Sequence, residues 1–157
     1  MSRYAKDTSV SVSNSKAEIE RIIERYGAAQ FMSGWSEDRA VIGFAMAGRQ
    51  VRFVLEMPSK QADEFAKTPT GKDRSPDAAY KAWEQACRQR WRALSLVIKA
   101  KLEAVESGIS VFEDEFMANI VMPGGRTVSE EIRPRIAEAY ETGRMPALLP
   151  DYSGGTQ

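Results

Sequence analysis

Lys81, Arg88, Arg92 and Lys99 recur at intervals of seven, four and seven residues. On a helix turning about 100° per residue, those intervals return each side chain to nearly the same azimuth, so the four form one cationic line. Such a line suits a phosphate backbone, whose neutralisation supplies most non-specific nucleic-acid affinity. Lys67, Lys72 and Arg74 stand just before it in the stretch KTPTGKDRSP. Arg52 shares the open sheet face with the small residues Gly43 and Ala45, which would let a single strand lie close. Trp35 and Trp91 offer rings for base stacking, although both also fall on apolar stripes. The competing reading is that these long cations snorkel along the edge of a buried helix and keep it solvated. For the line as a whole, binding is the favoured reading.

Other chemistry is narrowed by what the chain lacks. There is no histidine and one cysteine, Cys87. Without imidazole there is no side chain of unperturbed pKa near neutrality, and Ser–His or Cys–His nucleophile pairs cannot form. A structural zinc site needs more Cys or His than one thiol supplies. Carboxylate chemistry with magnesium, manganese or calcium survives in principle. The dense acids Glu113-Asp114-Glu115 and Glu130-Glu131 are accounted for by helix starts, where the dipole favours them. Pro123-Gly-Gly-Arg126 and Thr70-Gly71-Lys72 lack the spacing of a phosphate-binding loop. The expectation is a non-enzymatic protein with no catalytic residue, cofactor or metal.

Charge is balanced overall, 22 basic against 22 acidic groups, but not locally. Residues 60–101 hold ten basic and five acidic groups, net +5; residues 102–157 hold four and ten, net −6. This dipole favours an anionic partner in the middle of the chain, or head-to-tail pairing of copies through Glu113–Glu115 and Glu130–Glu131. Alternatively the fold brings the two regions together. With 43% hydrophobic residues, no long apolar run and a polar N-terminus, neither a membrane span nor a signal peptide is expected, and the cytoplasm is the expected compartment.

The elements that must carry these groups follow from periodicity. Tyr80, Trp83, Cys87, Trp91, Leu94, Ile98, Leu102 and Val105 recur at threes and fours, which predicts one amphipathic helix over Asp77–Ser107. Ser15-Lys-Ala-Glu18 predicts a capping box for a helix lined by Ile19, Ile22, Ile23 and Tyr26 and closed by Gly27. Ala29–Trp35, Arg39–Met46 and Arg49–Met57 read as strands joined by short turns, with Ala40, Ile42, Phe44, Met46, Val51, Phe53 and Leu55 facing the core. Residues 1–13 read as a flexible arm or edge strand and residues 58–76 as a mobile loop, with one helical turn near Gln61–Phe65. Beyond Gly108, Ser110-Val-Phe-Glu113 predicts a second capping box, and Ile120–Met122 an extended segment. A helical turn is expected at Thr127–Ile132, a helix starting at Pro134, and an extended tail over 144–157. The whole is one α+β domain: an α-β-β-β-α core whose three-stranded antiparallel sheet packs on the long helix, plus a small C-terminal helical appendix.

MSRYAKDTSVSV, WEQACRQRWRALSLVIKAKLEAVESGI and ETGRMPALLP resemble a family of small uncharacterised proteins encoded in bacteriophages and prophages. The resemblance spans nearly the whole chain and implies a phage product in the bacterial cytoplasm, without an activity or a functional residue. In element order alone the chain is similar to double-stranded-RNA-binding domains and to the core of phage single-strand annealing proteins. Of the former's lysine cluster only Lys81 has a counterpart. Neither family's motif carries over, and the leading expectation, non-specific or single-stranded nucleic-acid binding (DNA or RNA), rests on the +5 segment and the cationic row. The alternative is a protein-interaction module directed at a host or defence protein.

Overall fold

The computed structural model describes residues 3–36, 38–151 and 153, and of residues 3–11 and 13 the backbone. The chain runs α1 (Arg3–Arg25), β1 (Gln30–Ser36), β2 (Arg39–Met46), β3 (Arg49–Glu56), α2 (Asp63–Ala66), α3 (Pro76–Glu106), α4 (Phe112–Phe116), a 3-10 turn (Met117–Asn119) and α5 (Val128–Thr142). This is the expected α+β order, with an antiparallel sheet in the order β1-β2-β3.

Two-residue turns set the register. Ser36 faces Arg39 across the first, and Met46 faces Arg49 across the second. Ala47 and Gly48 of the second turn both have positive φ, 53° and 72°, the backbone that matches the twist of a tight hairpin. Ala40, Ile42, Phe44 and Met46 then point to one face together with Val51 and Phe53, and all six are buried. Against them pack Ile19, Ile22 and Ile23 of α1, Trp91, Leu94, Ile98 and Leu102 of α3, and Phe116 of α4. Phe116 meets Phe44 and Phe53 edge-on, with centroids 5.8 and 6.3 Å away, the arrangement that ring quadrupoles favour.

α3 starts where its chemistry allows. Ser75 accepts a hydrogen bond from the Ala78 amide, and Pro76, which has no N–H to satisfy, takes the first helical position. Beyond α4, Ile120 bridges Val51 and the Val121 amide donates to the Gln50 carbonyl, so the appendix extends the sheet at its β3 edge.

Several expectations are corrected. Residues 3–13 belong to α1 and are neither arm nor strand, so Ser15 lies inside the helix and caps nothing; residues 1 and 2 lie outside the described residues. A helix already formed at 14–25 lengthens by one hydrogen bond per residue without a new nucleus, whereas a strand there needs a sheet edge. Ser110 does not cap α4: Val111 stands at the cap position, and Glu113 is drawn to Arg49. Pro134 lies within α5 and does not start it. The true start is Thr127, in a capping box with Glu130. The carbonyl of Glu130, four residues before the proline, loses its helical donor, and the Arg126 guanidinium takes its place at 3.1 Å. Residues 144–151 carry neither helix nor strand; residues 152 and 154–157 lie outside the described residues.

Candidate functional site

The α3 capping geometry and the regular helix that follows fix the cationic line. Lys81, Arg92 and Lys99 are exposed along one flank, and from Lys81 to Lys99 the line rises about 27 Å at 1.5 Å per residue. Arg88 is half-buried and turned inward, with Nη1 3.6 Å from Oε2 of Glu84 one turn before it. That Glu84 side chain is only 4% exposed, and its Oε1 has no hydrogen-bond partner. Arg88 thus neutralises a buried carboxylate, and changing it leaves a charge stranded. The same carboxylate acts on Tyr80, whose phenol is held above its usual range first by burial and then by the Glu84 charge.

The segment before α3 is not the open loop that its breakers suggested. Lys67 and Asp73 form an antiparallel bridge, the Thr68 amide bonds the Lys72 carbonyl at 2.7 Å, and Gly71, at φ 87°, supplies the reversal. Arg74 is a brace: its Nη1 donates to the carbonyls of Glu64 and Phe65 at 3.1 and 3.2 Å, tying this hairpin to α2. Lys67 and Lys72 remain exposed on the hairpin. The breakers end regular structure but build a turn with its own hydrogen bonds.

Arg52 stands apart from this group, on the outer face of the sheet. It donates to the Gly125 carbonyl at 2.8 Å and to Oε1 of Glu130 at 2.9 Å, which clamps the appendix to β3. The Arg52 hydrogen bond is the main cause that holds the Glu130 carboxyl below its usual value. Beside Arg52 runs a groove of about 480 Å³, floored by Gly34, Gly43 and Ala45 and walled by Met32 and the Val121–Gly125 turn. Small residues do leave this face open, as expected, but the arginine there is already neutralised.

Three more of the clustered acids are also paired. Glu113 holds Arg49 at 2.7 Å, Glu115 holds Lys101 at 3.3 Å, and Glu131 lies 3.7 Å from Arg126 and 3.5 Å from Arg135. Head-to-tail association through these carboxylates would have to break internal ion pairs. Among the described residues no group of three His, Cys, Asp or Glu is placed to hold a metal ion. The Cys87 thiol is buried, and that burial pushes it up to about 11.

The three tryptophans separate. Trp91 is 2% exposed in the core under the Lys16 ammonium. Trp83 is half-buried, donates its indole N–H to the Pro58 carbonyl at 2.8 Å, and carries Lys60 4.6 Å above its ring. Trp35, expected on a core stripe, is 77% exposed and Met32 73%, both on β1. Sequence reasoning missed this exposed edge, because alternation gives the face of a strand and not whether anything covers it. It also missed the Arg52–Glu130–Arg126 knot, for which Thr127-Val-Ser-Glu130 was an available sign.

Searches against protein-family models, curated proteins and solved structures return no match to this chain. No helix of the described residues is long and apolar enough to cross a membrane.

Proposed function

We propose that this protein binds nucleic acid, without catalysis, along the exposed flank of α3 and the hairpin that precedes it. One observation carries the reading. The C-terminal carboxylates Glu113, Glu115, Glu130 and Glu131 are taken by Arg49, Lys101, Arg52, Arg126 and Arg135. Had the chain's charge asymmetry served only its own folding, those acids would lie against the α3 line; one of them, Glu115, does reach α3, but at Lys101, outside the line. Instead Arg92 and Lys99 face solvent and make no ion pair among the described residues, and the same holds for Lys67 and Lys72. A regular row of solvent-facing cations on a rigid helix is an electrostatic track for phosphates, with no sequence readout implied. Arg52, Arg74 and Arg88 leave the binding set, because each has a structural partner.

The test is fluorescence anisotropy with labelled single-stranded DNA and RNA at low salt. The triple variant Lys81→Glu, Arg92→Glu, Lys99→Glu should lose binding and remain folded, with Arg88 kept to protect Glu84. Absence of binding by the wild type to any DNA or RNA at roughly tens of micromolar, where non-specific binders of this kind saturate, would sink the proposal.

The groove on the outer sheet face supports a second reading, a module that engages a host or defence protein. Its floor is apolar and its one arginine is neutralised, which suits a polypeptide better than a phosphate chain. Capture of a partner from bacterial lysate that survives nuclease treatment, and is lost in Gly43→Arg, would favour it.

A further inference from the structure

The two-residue turns determine which way each backbone group of β1 points. The residues that close such a turn exchange hydrogen bonds, and hydrogen-bonded pairs then alternate along the ladder. Met46 and Arg49 close the second turn, so Ala40, Ile42, Phe44 and Met46 direct their N–H and C=O groups to β3. Arg39, Val41, Gly43 and Ala45 are left to bond β1 through Ser36, Gly34, Met32 and Gln30. The first turn, closed by Ser36 and Arg39, gives the same phase independently. Phe31, Ser33 and Trp35 therefore turn their N–H and C=O groups outward, to an edge that no described strand covers.

The opposite edge is taken up over residues 50–52. Gln50 accepts from the Val121 amide, and the Arg52 carbonyl accepts from Asn119 Nδ2 at 3.2 Å. The β1 edge has no such cover among the described residues. Natural edges are guarded by charge, proline or bulky cover, yet β1, QFMSGWS, contains no charged residue and no proline. It also presents Met32 and Trp35 to solvent at 73% and 77% exposure.

We propose that β1 pairs antiparallel with β1 of a second copy of this chain about a two-fold axis at Ser33, giving a continuous six-stranded sheet. Only this register uses all three outward residues of both copies: Ser33 meets its own counterpart and Phe31 meets Trp35 twice. On the core-side face each Trp35 then lies beside a half-buried Phe31, an aromatic cross-strand pair. On the groove face each Met32 meets Gly34, where a side chain is free to cover open backbone because nothing described lies within 4 Å of a Cβ there. The flanking Gln30 and Ser36 also pair without opposing charges. The interface is isologous and closes at two copies, and it is neutral, unlike a head-to-tail contact between charged regions.

Sedimentation velocity across protein and salt concentration tests this, with Ser33→Pro and Ser33→Lys alongside the wild type. The Ser33 amide makes no bond to β2, so proline removes only the edge donor; lysine places two like charges at the axis. The expected result is a dimer that dissociates on dilution, is insensitive to salt and is lost in both variants, at the wild-type melting temperature for Ser33→Lys. If Ser33→Pro does not fold, Ser33→Lys decides alone. A wild type that is monomeric at every concentration overturns the proposal and leaves the edge to an extended segment of another protein. So does a dimer dissolved by salt, or one retained by Ser33→Lys.

Discussion

Trp91 and Trp35 have the same side chain and opposite fates, and the difference lies in what surrounds them. Trp91 is on the α3 stripe with Cys87, Leu94 and Ile98, where α1 and the sheet close over it, leaving 2% exposed. Removing a ring so enclosed loses its transfer energy and leaves a cavity, so Trp91→Ala should cost about 3–5 kcal/mol. That is a large share of the ~5–15 kcal/mol that holds a typical domain together, and the variant should melt far lower or fail to accumulate as soluble protein. Thermal unfolding followed by circular dichroism checks it. An unchanged melting temperature would mean that the α3 stripe is not the core. The burial of Trp91 was legible in the sequence because three- and four-residue spacing over about seven turns allows one face only. The exposure of Trp35 was not: β1 fixes which way its side chain points, but the packing that half-buries Phe31 at the other end of the strand does not reach it.

Among the elements, α5 departs furthest from what local pattern implies. Proline at its seventh position normally ends a helix, and the sequence was accordingly read as a turn followed by a separate helix. The helix persists because Arg126 replaces the missing donor and because Thr127 and Glu130 cap its start. The same Glu130 carboxylate accepts from the Thr127 amide and from Arg52, so it caps α5 and moors it to β3. These are tertiary contacts, invisible to periodicity, whereas the hairpins of β1–β3 were readable because their turns are local. The mooring has a pH signature. Hydrogen bonding to Arg52 lowers the Glu130 pKa in the folded state below its ordinary value of 4.5. Its contribution is therefore fully present above that value and is lost as pH falls through the lower, folded-state value. Glu130→Gln should melt below the wild type at neutral pH, and the gap should close on acidification below 4.5. Melting curves of both proteins across that range isolate this carboxylate from the others that titrate there. A gap independent of pH would show that the ion pair contributes nothing.

Over the whole molecule, charge is sorted into neutralised and solvent-facing sets. The positions of the cations were legible in the sequence, since spacing alone places Lys81, Arg88, Arg92 and Lys99 on one flank. The partners of the C-terminal acids were not, because Glu113 and Arg49 lie 64 residues apart and Glu130 and Arg52 lie 78 apart, and only the folded sheet brings them together. Arg92 and Lys99 stay outside these pairs among the described residues, and with Lys81, exposed on the same flank, they are the α3 residues assigned to a phosphate track. Each cation that neutralises a phosphate displaces condensed counterions, so affinity falls with salt at a slope of about −0.7 per phosphate contact on a single strand. Replacing these three by Gln should therefore flatten the plot of log affinity against log salt by roughly 2. Arg74→Gln should leave the slope unchanged, since that guanidinium is spent on the Glu64 and Phe65 carbonyls. Anisotropy titrations of single-stranded DNA at several salt concentrations give both slopes. Equal flattening in the two proteins would point to diffuse net charge as the attractant. A wild-type slope near zero would mean that the ligand is held by something other than its phosphates, and would move attention from α3 to the outer face of the sheet.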